Sequence, residues 1–518
     1  MSISRLIDRT IEGILKDAQF AYDYIIYTDG TNYFAFNTKT KQIDFVGTDA
    51  STVIQSAINA LPNGGKIFIK EGVYNIYSLF GTAYNNQIIH IKGVYGLTAF
   101  NILVDNPSNP WAFGINPGST VILEDLVFDT TNWSATDYTN PLLVVNAGGG
   151  AIDKLHIKNC IFKLRANTRF TQGILVSASS QWSNEVKVEG CIFENVSPST
   201  SSVRDVRGIM GWLIHRLIVR DNFFHNINSP VEFSWFSGLP TYFIEHFEYK
   251  DNIELIDRSD CYVEGLEVSG VLEAISSGNI QYVNLTGPTT YSVGGMGFGA
   301  SQNCGLVIIS NNEFYGGGHG IGYGGYSVDE LIIKDNLLEN TGQYVSAERD
   351  AILLRTLASG AQYKKVTIEG NILLNTYGTI SILSQPNIMR IKDNLGYDTS
   401  TFQASGLSVP VGTGGAYGSA VSITSLSGII TFPRVKIIWG GTFGTGETVT
   451  VQITAVYSDG TTASITKSAT AVGSLWLTDD DVLSLITQGK DITQLQVSAS
   501  SNLASTSVTV TVNAYGKG

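Results

Sequence analysis

The sequence predicts an all-β protein whose main body is a right-handed, single-stranded parallel β-helix, preceded by a small helix-and-hairpin module and followed by a β-sandwich. Three observations lead there. Of 518 residues, 43% are hydrophobic, only 15% are charged and 55 are glycine, so the chain buries a large apolar interior while turning often. A phrase of alternating apolar residues, a polar pair and a further apolar residue recurs: "LHIKNCIF" from 155, "VKVEGCIFEN" from 186, "LIVRDNFFHN" from 217 and "FEYKDNIEL" from 247. It continues with "LVIISNNEF" from 306, "LIIKDNLLEN" from 331, "VTIEGNILLN" from 366 and "MRIKDNLGY" from 389. Taking its Asn or Gly as a marker, Asn159, Gly190, Asn222 and Asn252 lie 31, 32 and 30 residues apart, and Asn312, Asn336, Asn371 and Asn394 lie 24, 35 and 23 apart. The shortest intervals suit one coil of a β-helix, and the longer ones add a loop to it.

The marker residues have a physical reason. A sharp corner needs left-handed backbone, which Asn and Gly tolerate best, and stacked asparagines hydrogen-bond along the axis. Because each coil packs only on its neighbours, 518 residues do not count domains as they do in a compact fold. A β-sandwich with unusually regular strands is the alternative.

The elements follow in order. Residues 3 to 22 read as an amphipathic helix, with Ile7, Ile11, Ile14 and Ala18 on one face, suited to a short coiled-coil seam or to packing on the chain's own body. Two or three short strands follow, so residues 1 to 46 form an expected attachment module. Residues 47 to 76 supply a cover for the open end of the coils. Val53, Ile54, Ala57, Ile58 and Leu61 share a helical face, Asp49 or Ser51 caps its start, Pro62 and Gly64 stop it, and a strand with inward Ile67 and Ile69 begins the stack. Coils run from 47 to 400. Residues 401 to 430 are a Ser/Gly-rich connector, and 431 to 518 are expected to form the sandwich, interrupted by a short helix at "TDDDVLSLI" that Thr478 caps.

With 45 acidic and 32 basic side chains the net charge is −13, which argues against nucleic acid and anionic lipid as partners. Cys160, Cys191, Cys261 and Cys304 form no CxxC or Cys/His cluster, so neither a metal site nor a disulfide framework is expected, and no cofactor is expected. Cys160 and Cys191 share the phrase "CIF" and are expected to stack as buried free thiols. The N-terminus lacks the features of a secretory signal, and no run of about 18 apolar residues suggests a membrane span.

Gly64, Gly65, Gly72 and Tyr74, after the capping helix, resemble the opening of pectate-lyase-like proteins, the right-handed β-helix group that includes polygalacturonases and phage tailspikes. With the repeats the resemblance covers roughly residues 47 to 400. It implies a fold more than a reaction, since that fold carries lyases, hydrolases, glycan binders and inert spikes. The "GHG" turn of polygalacturonases is matched by Gly318, His319 and Gly320, and Arg355 falls near the position of that family's arginine. The family's paired aspartates are not matched: residues 285 to 312 contain no carboxylate. Glycosidic hydrolysis needs two flanking carboxylates, so His319 is expected at a coil corner, with sugar contact as its remaining role.

A better furnished surface comes from aligning "QGILVSA" (172), "RGIMGWL" (207), "SPVEFSWF" (229), "GGMGFGA" (294), "GHGIGYG" (318), "DAILLRT" (350) and "GTISILS" (378). Alternation sends Ile174, Ile209, Val231, Phe233, Ile321, Ile352 and Ile380 inward and Trp212, Glu232, Trp235 and Arg355 outward. Tryptophan beside acids and arginines is what stacking on sugar rings requires. The candidate catalytic acids are Asp205, Glu232 and Asp350, with Glu348 nearby. The candidate glycan-binding residues are Trp212, Trp235, Arg207, Arg355 and His319, with Arg204 and Arg349 as further anion-binding neighbours. His215, His225 and His246 are expected to pack rather than to ligate.

These readings converge on a spike or tail-fibre protein at a virion surface, recognising host-surface glycans with or without cleaving them. A homotrimer and other virion proteins, reached through the N-terminal module, are the expected partners. The alternatives are a free polysaccharide lyase or glycoside hydrolase, and a cell-surface adhesin.

Overall fold

The computed structural model describes residues 21–104, 112–133, 140–145, 150–165, 171–177, 181–197, 206–233, 241–258, 265–283, 296–299, 302–317, 320–341, 350–374, 376, 380–384, 386–394, 401–423, 431–485 and 490–517. It divides into two compact units, residues 1–367 with 376–389 and residues 368–375 with 390–518. The expected N-terminal helix lies outside the described residues.

The first unit is a parallel β-helix. Each coil gives one strand to each of three sheets in turn, as in Ile214–Arg220, Phe223–His225 and Ser229–Phe233. Among the described residues the third sheet holds eleven strands, from Phe80–Gly81 to Ile380–Ile382, one per coil. All seven residues that alternation places inward on it are buried. The strands Tyr24–Thr28, Tyr33–Asn37 and Gln42–Gly47 form an antiparallel meander, and the first of them lies parallel to Gly64–Ile69, so the meander prolongs the first sheet.

Ala50–Asn59 is the covering helix, with Val53, Ile54, Ala57 and Ile58 buried beneath it. Of the two cap candidates Asp49 takes the role: its carboxylate accepts from the Ser51 amide at 3.0 Å and the Thr52 hydroxyl at 2.6 Å. Two glutamines tie the helix to the coils. Gln55 accepts from the Gly81 amide and donates to the Gly81 carbonyl. Buried Gln87 donates to the carbonyls of Ile58, in the last turn of the helix, and Leu61, just beyond it.

Inside the coils, Phe128, Phe162, Phe193 and Phe224 stack along the second sheet with ring centroids 5.1, 4.6 and 5.0 Å apart. The column then turns polar. Buried Glu254 accepts from the Tyr249 hydroxyl at 2.6 Å and from the Gln281 amide at 2.8 Å, and burial pushes its carboxyl above the usual range.

The asparagine ladder forms, with a corrected register. Left-handed backbone falls on Asn159, Gly190, Asp221, Asp251, Gly278, Asn311 and Asp335, whereas the ladder occupies the next residue. Asn222, Asn252, Asn279, Asn312 and Asn336 pass an amide hydrogen bond along the axis at 3.0, 3.0, 2.8 and 3.0 Å. Each Oδ1 that accepts such an amide also accepts the preceding asparagine's backbone N–H. The sequence markers therefore mixed two adjacent positions, because asparagine suits both the corner and the ladder. They also passed over the coil at Gly278 and Asn279. Cys160 and Cys191 hold the ladder position in earlier coils as buried free thiols, with the Cys160 amide 3.4 Å from Cys191 Sγ.

In the second unit Asn371 donates to Asn394 Oδ1 at 2.8 Å, in the same manner. A sandwich follows. One sheet orders its strands Thr401–Val409, Ser507–Lys517, Thr431–Thr442 and Gly473–Trp476; the other contains Val411–Gly412, Ile492–Ser501, Val449–Tyr457 and Thr462–Ala469, with Val421–Ile423 against Ile492–Ser501. Ile437, Trp439 and Val510 of the first share one core with Val451, Ile453 and Val497 of the second. The short helix Asp479–Leu485 opens on a reciprocal cap: the Asp481 amide donates to the Thr478 hydroxyl and the Thr478 amide to the Asp481 carboxylate.

Candidate functional site

The outer face of the third sheet is built by the same alternation that fills the coils. In register across successive coils, Met210 stands beside Glu232, Glu232 beside Glu267, and Glu267 beside Gly297. Each lies one residue from an inward neighbour, as Glu232 does between Val231 and Phe233, so their side chains leave the sheet on the same side. Two carboxylates thus start from strands about 4.8 Å apart.

Their surroundings differ. Glu232 is only 3% exposed although it points outward, and it pairs with the guanidinium of Arg207, itself largely buried. Glu267 is half-buried. At Gly297 a Cβ would come within 3.2 Å of the Leu266 carbonyl, and its absence leaves the position next to Glu267 without a side chain. Trp212 ends the strand Val206–Trp212, two residues beyond the register partner of Glu232, and is half-buried.

Several sequence candidates lie elsewhere. Arg355 and Asp350 flank the strand Ile352–Leu354, four coils beyond the Glu232 strand, which is on the order of 19 Å along the axis. Burial raises the Asp350 carboxyl, and a hydrogen bond from Ser381 partly offsets this. Glu232 and Asp350 therefore do not meet across one glycosidic bond, for which paired carboxyls stand about 5–9.5 Å apart. The Tyr363 hydroxyl donates to the Arg355 carbonyl at 2.9 Å, and burial raises that phenol despite the guanidinium nearby. Asp205, Trp235, His319, Arg204, Glu348 and Arg349 lie outside the described residues. Around His319, Gly316 and Gly317 take left-handed backbone at φ +79° and +83°, and the space of a Cβ on Gly320 is filled by Leu338.

The residue that sequence reasoning missed is Glu267. The alignment of third-sheet strands passed from "SPVEFSWF" to "GGMGFGA" and omitted the coil carrying "EGLEVSG", the same coil gap that hid Asn279 one turn later. A count of coils between Asn252 and Asn312 would have found it, since 60 residues is twice the usual interval.

His246, His225 and His215 have partners within the coils. His246 lies 2.8 Å from Glu273 and 3.2 Å from Glu248, His225 is 3.3 Å from Asp257, and His215 stacks on Trp182 with centroids 5.0 Å apart. Among the described residues no group of three His, Cys, Asp or Glu is arranged to hold a metal ion, and no helix is long and apolar enough to cross a membrane.

No protein-family model matches the sequence, and no curated protein matches it. Among solved structures it is similar to a tailspike protein of E. coli bacteriophage HK620 in complex with a pentasaccharide, at 10% identity over 90% of each chain with a TM-score of 0.38. It is also similar to the enzymatically active domain of tailspike protein 4 of bacteriophage CBA120, at 12% identity, covering 90% of this chain and 66% of that one, with a TM-score of 0.35.

Proposed function

We propose that the protein is a tailspike-like, host-attachment protein of a virion that binds surface polysaccharide across the third sheet and cleaves it there. One observation carries the reading: Glu232, with Arg207 beside it, is in register with Glu267 on the outer face of adjacent coils, next to Gly297, which carries no side chain. A sugar chain lying there would run past two acids on neighbouring strands about 4.8 Å apart, a spacing of the order at which retaining glycosidases use one carboxyl as nucleophile and the other as acid. Glu267 gives its proton to the leaving glycosidic oxygen as the bond to the anomeric carbon breaks. Glu232, its charge balanced by Arg207, forms the new bond to that carbon. Water, deprotonated by Glu267, then displaces Glu232 and restores both groups. Trp212, from the neighbouring strand of the same face, offers an aromatic surface for a sugar ring.

The same reading assigns residues 1 to 46 to attachment on the virion, the coils to the shaft and the C-terminal sandwich to its closure or display, in a homotrimer. The test incubates the protein with a panel of bacterial O-antigen and capsular polysaccharides, measuring binding and release of reducing ends. Glu267→Gln is expected to bind the same polysaccharide while cleavage falls about a thousandfold, within the range for a lost general acid. Unchanged cleavage in Glu267→Gln overturns the assignment of the pair. Absence of binding to every polysaccharide, or absence of the chain from purified virions, overturns the attachment reading.

A further inference from the structure

The second sheet has an outer face unlike the other two. Six consecutive coils place a large apolar residue at the same outward position: Val127, Ile161, Ile192, Phe223, Ile253 and Ile280, each the register partner of the next. They alternate with inward Phe128, Phe162, Phe193, Phe224, Glu254 and Gln281, so the stripe is not an extension of the core. Val127 is buried, Ile253 is 41% exposed and the others are half-buried, comparable to the charged side chains in the next outward column. The stripe is about 24 Å long at one strand spacing per coil. A continuous apolar row of that length on an outer face is a surface that a partner can cover.

The neighbouring column narrows the choice of occupant. Asp129, Lys163, Glu194 and His225 follow one another up the coils, with Lys163 3.5 Å from Asp129, and His225 3.9 Å from Glu194 and 3.3 Å from Asp257. The face therefore carries both signs, with Lys163 between Asp129 and Glu194, in a chain of net charge −13. Such a strip is where two like-charged copies approach at least cost. Aliphatic side chains give a sugar no hydrogen bond, and a row one residue wide beside charges does not suit a bilayer. A partner that fills every step must repeat at the coil spacing.

We infer that the occupant is a second copy of this chain: copies pack side by side with parallel coil axes, and this stripe faces their common symmetry axis. Each apolar residue then lies at the level of its own equivalent, Ile192 near Ile192. The inference deepens the trimeric reading above and rests on it.

The test places one cysteine on the stripe, Ile192→Cys, in a Cys261→Ser background whose described thiols, Cys160, Cys191 and Cys304, are buried. Lys187→Cys on the outer face of the first sheet is the control. Copper-phenanthroline is the oxidant, the readout is a cross-linked pair on non-reducing gels, and mass is read by light scattering. An oligomer that cross-links at least tenfold more through Ile192→Cys than through Lys187→Cys is expected. Phe223→Cys repeats the measurement should Ile192→Cys not fold. An oligomer that cross-links equally or better through Lys187→Cys overturns this face and leaves the trimer standing; a monomer overturns both.

Discussion

The outer faces of the first and third sheets carry the same residue types to opposite effect. On the first sheet, three carboxylates each sit among several basic side chains: Glu124 with Lys92 and His90, Glu248 with His246 and Lys250, Glu189 with Lys187, Arg220 and His156. Burial opposes their charge, hydrogen bonds from those partners outweigh it, and all three carboxyls lie below the usual range. Such a network is a stable resting surface with no group held in reserve. On the third sheet one arginine pairs with Glu232, a second carboxylate follows in register, and a glycine follows that. What separates the two faces is therefore how the acids are arranged along the register, more than the presence of charge.

The comparison breaks most sharply on activity. Glu267→Gln is expected to cost about a thousandfold in cleavage, while Glu248→Gln on the first sheet leaves it unchanged in the same assay of reducing ends. Next in size is stability. Arg207→Met removes the guanidinium paired with buried Glu232 and is expected to destabilise by about 3–5 kcal/mol, read by urea unfolding, whereas Arg220→Met costs under about 1 kcal/mol because Lys187 and His156 still face Glu189. Equal losses from the two arginines would erase the distinction between the faces.

Most of the fold was legible because a coil repeats its constraints. An inward position, a corner and a ladder residue recur every 23 to 35 residues, so Ile174, Ile209 and Ile352 announce their direction by alternation alone. The site was only partly legible. Direction gave Glu232, but its burial depends on what covers the strand, and its partner Arg207 lies 25 residues away in another coil. Glu267 has no local signature: it becomes a candidate only through its register with Glu232, and register accumulates one coil at a time. Asp350 looked equivalent because its strand aligns well, yet position along the axis separates it from Glu232.

Smaller effects sharpen the contrast between a satisfied ladder and a satisfied surface. Asn279→Ala removes the side-chain acceptor of the Asn252 backbone N–H and one of the two acceptors of the Asn252 side-chain amide, which keeps the Val219 carbonyl, and each buried group left unsatisfied costs about 1–3 kcal/mol. A drop in the urea midpoint is expected without change in its slope. No drop would mean that water replaces the lost amide.

The smallest effect has a sign that differs between surface and interior. Glu189 titrates at about 2 when folded, below its ordinary value, so its contribution is present above about pH 4.5 and is lost as pH falls from there toward 2. Glu254 is shifted upward by burial, so the folded state holds its proton longer, and its contribution is lost as pH rises above the ordinary carboxylate range. Melting curves of Glu189→Gln and Glu254→Gln against wild type, from pH 3 to pH 8, should therefore diverge in opposite directions. Glu189→Gln is expected to lose about 1 kcal/mol at neutral pH and to converge on wild type in acid. Glu254→Gln is expected to gain relative to wild type as pH rises. Parallel curves for the two would mean that Glu254 stays ionised within the coils, with Tyr249 and Gln281 stabilising its charge as the cations of the first sheet stabilise Glu189.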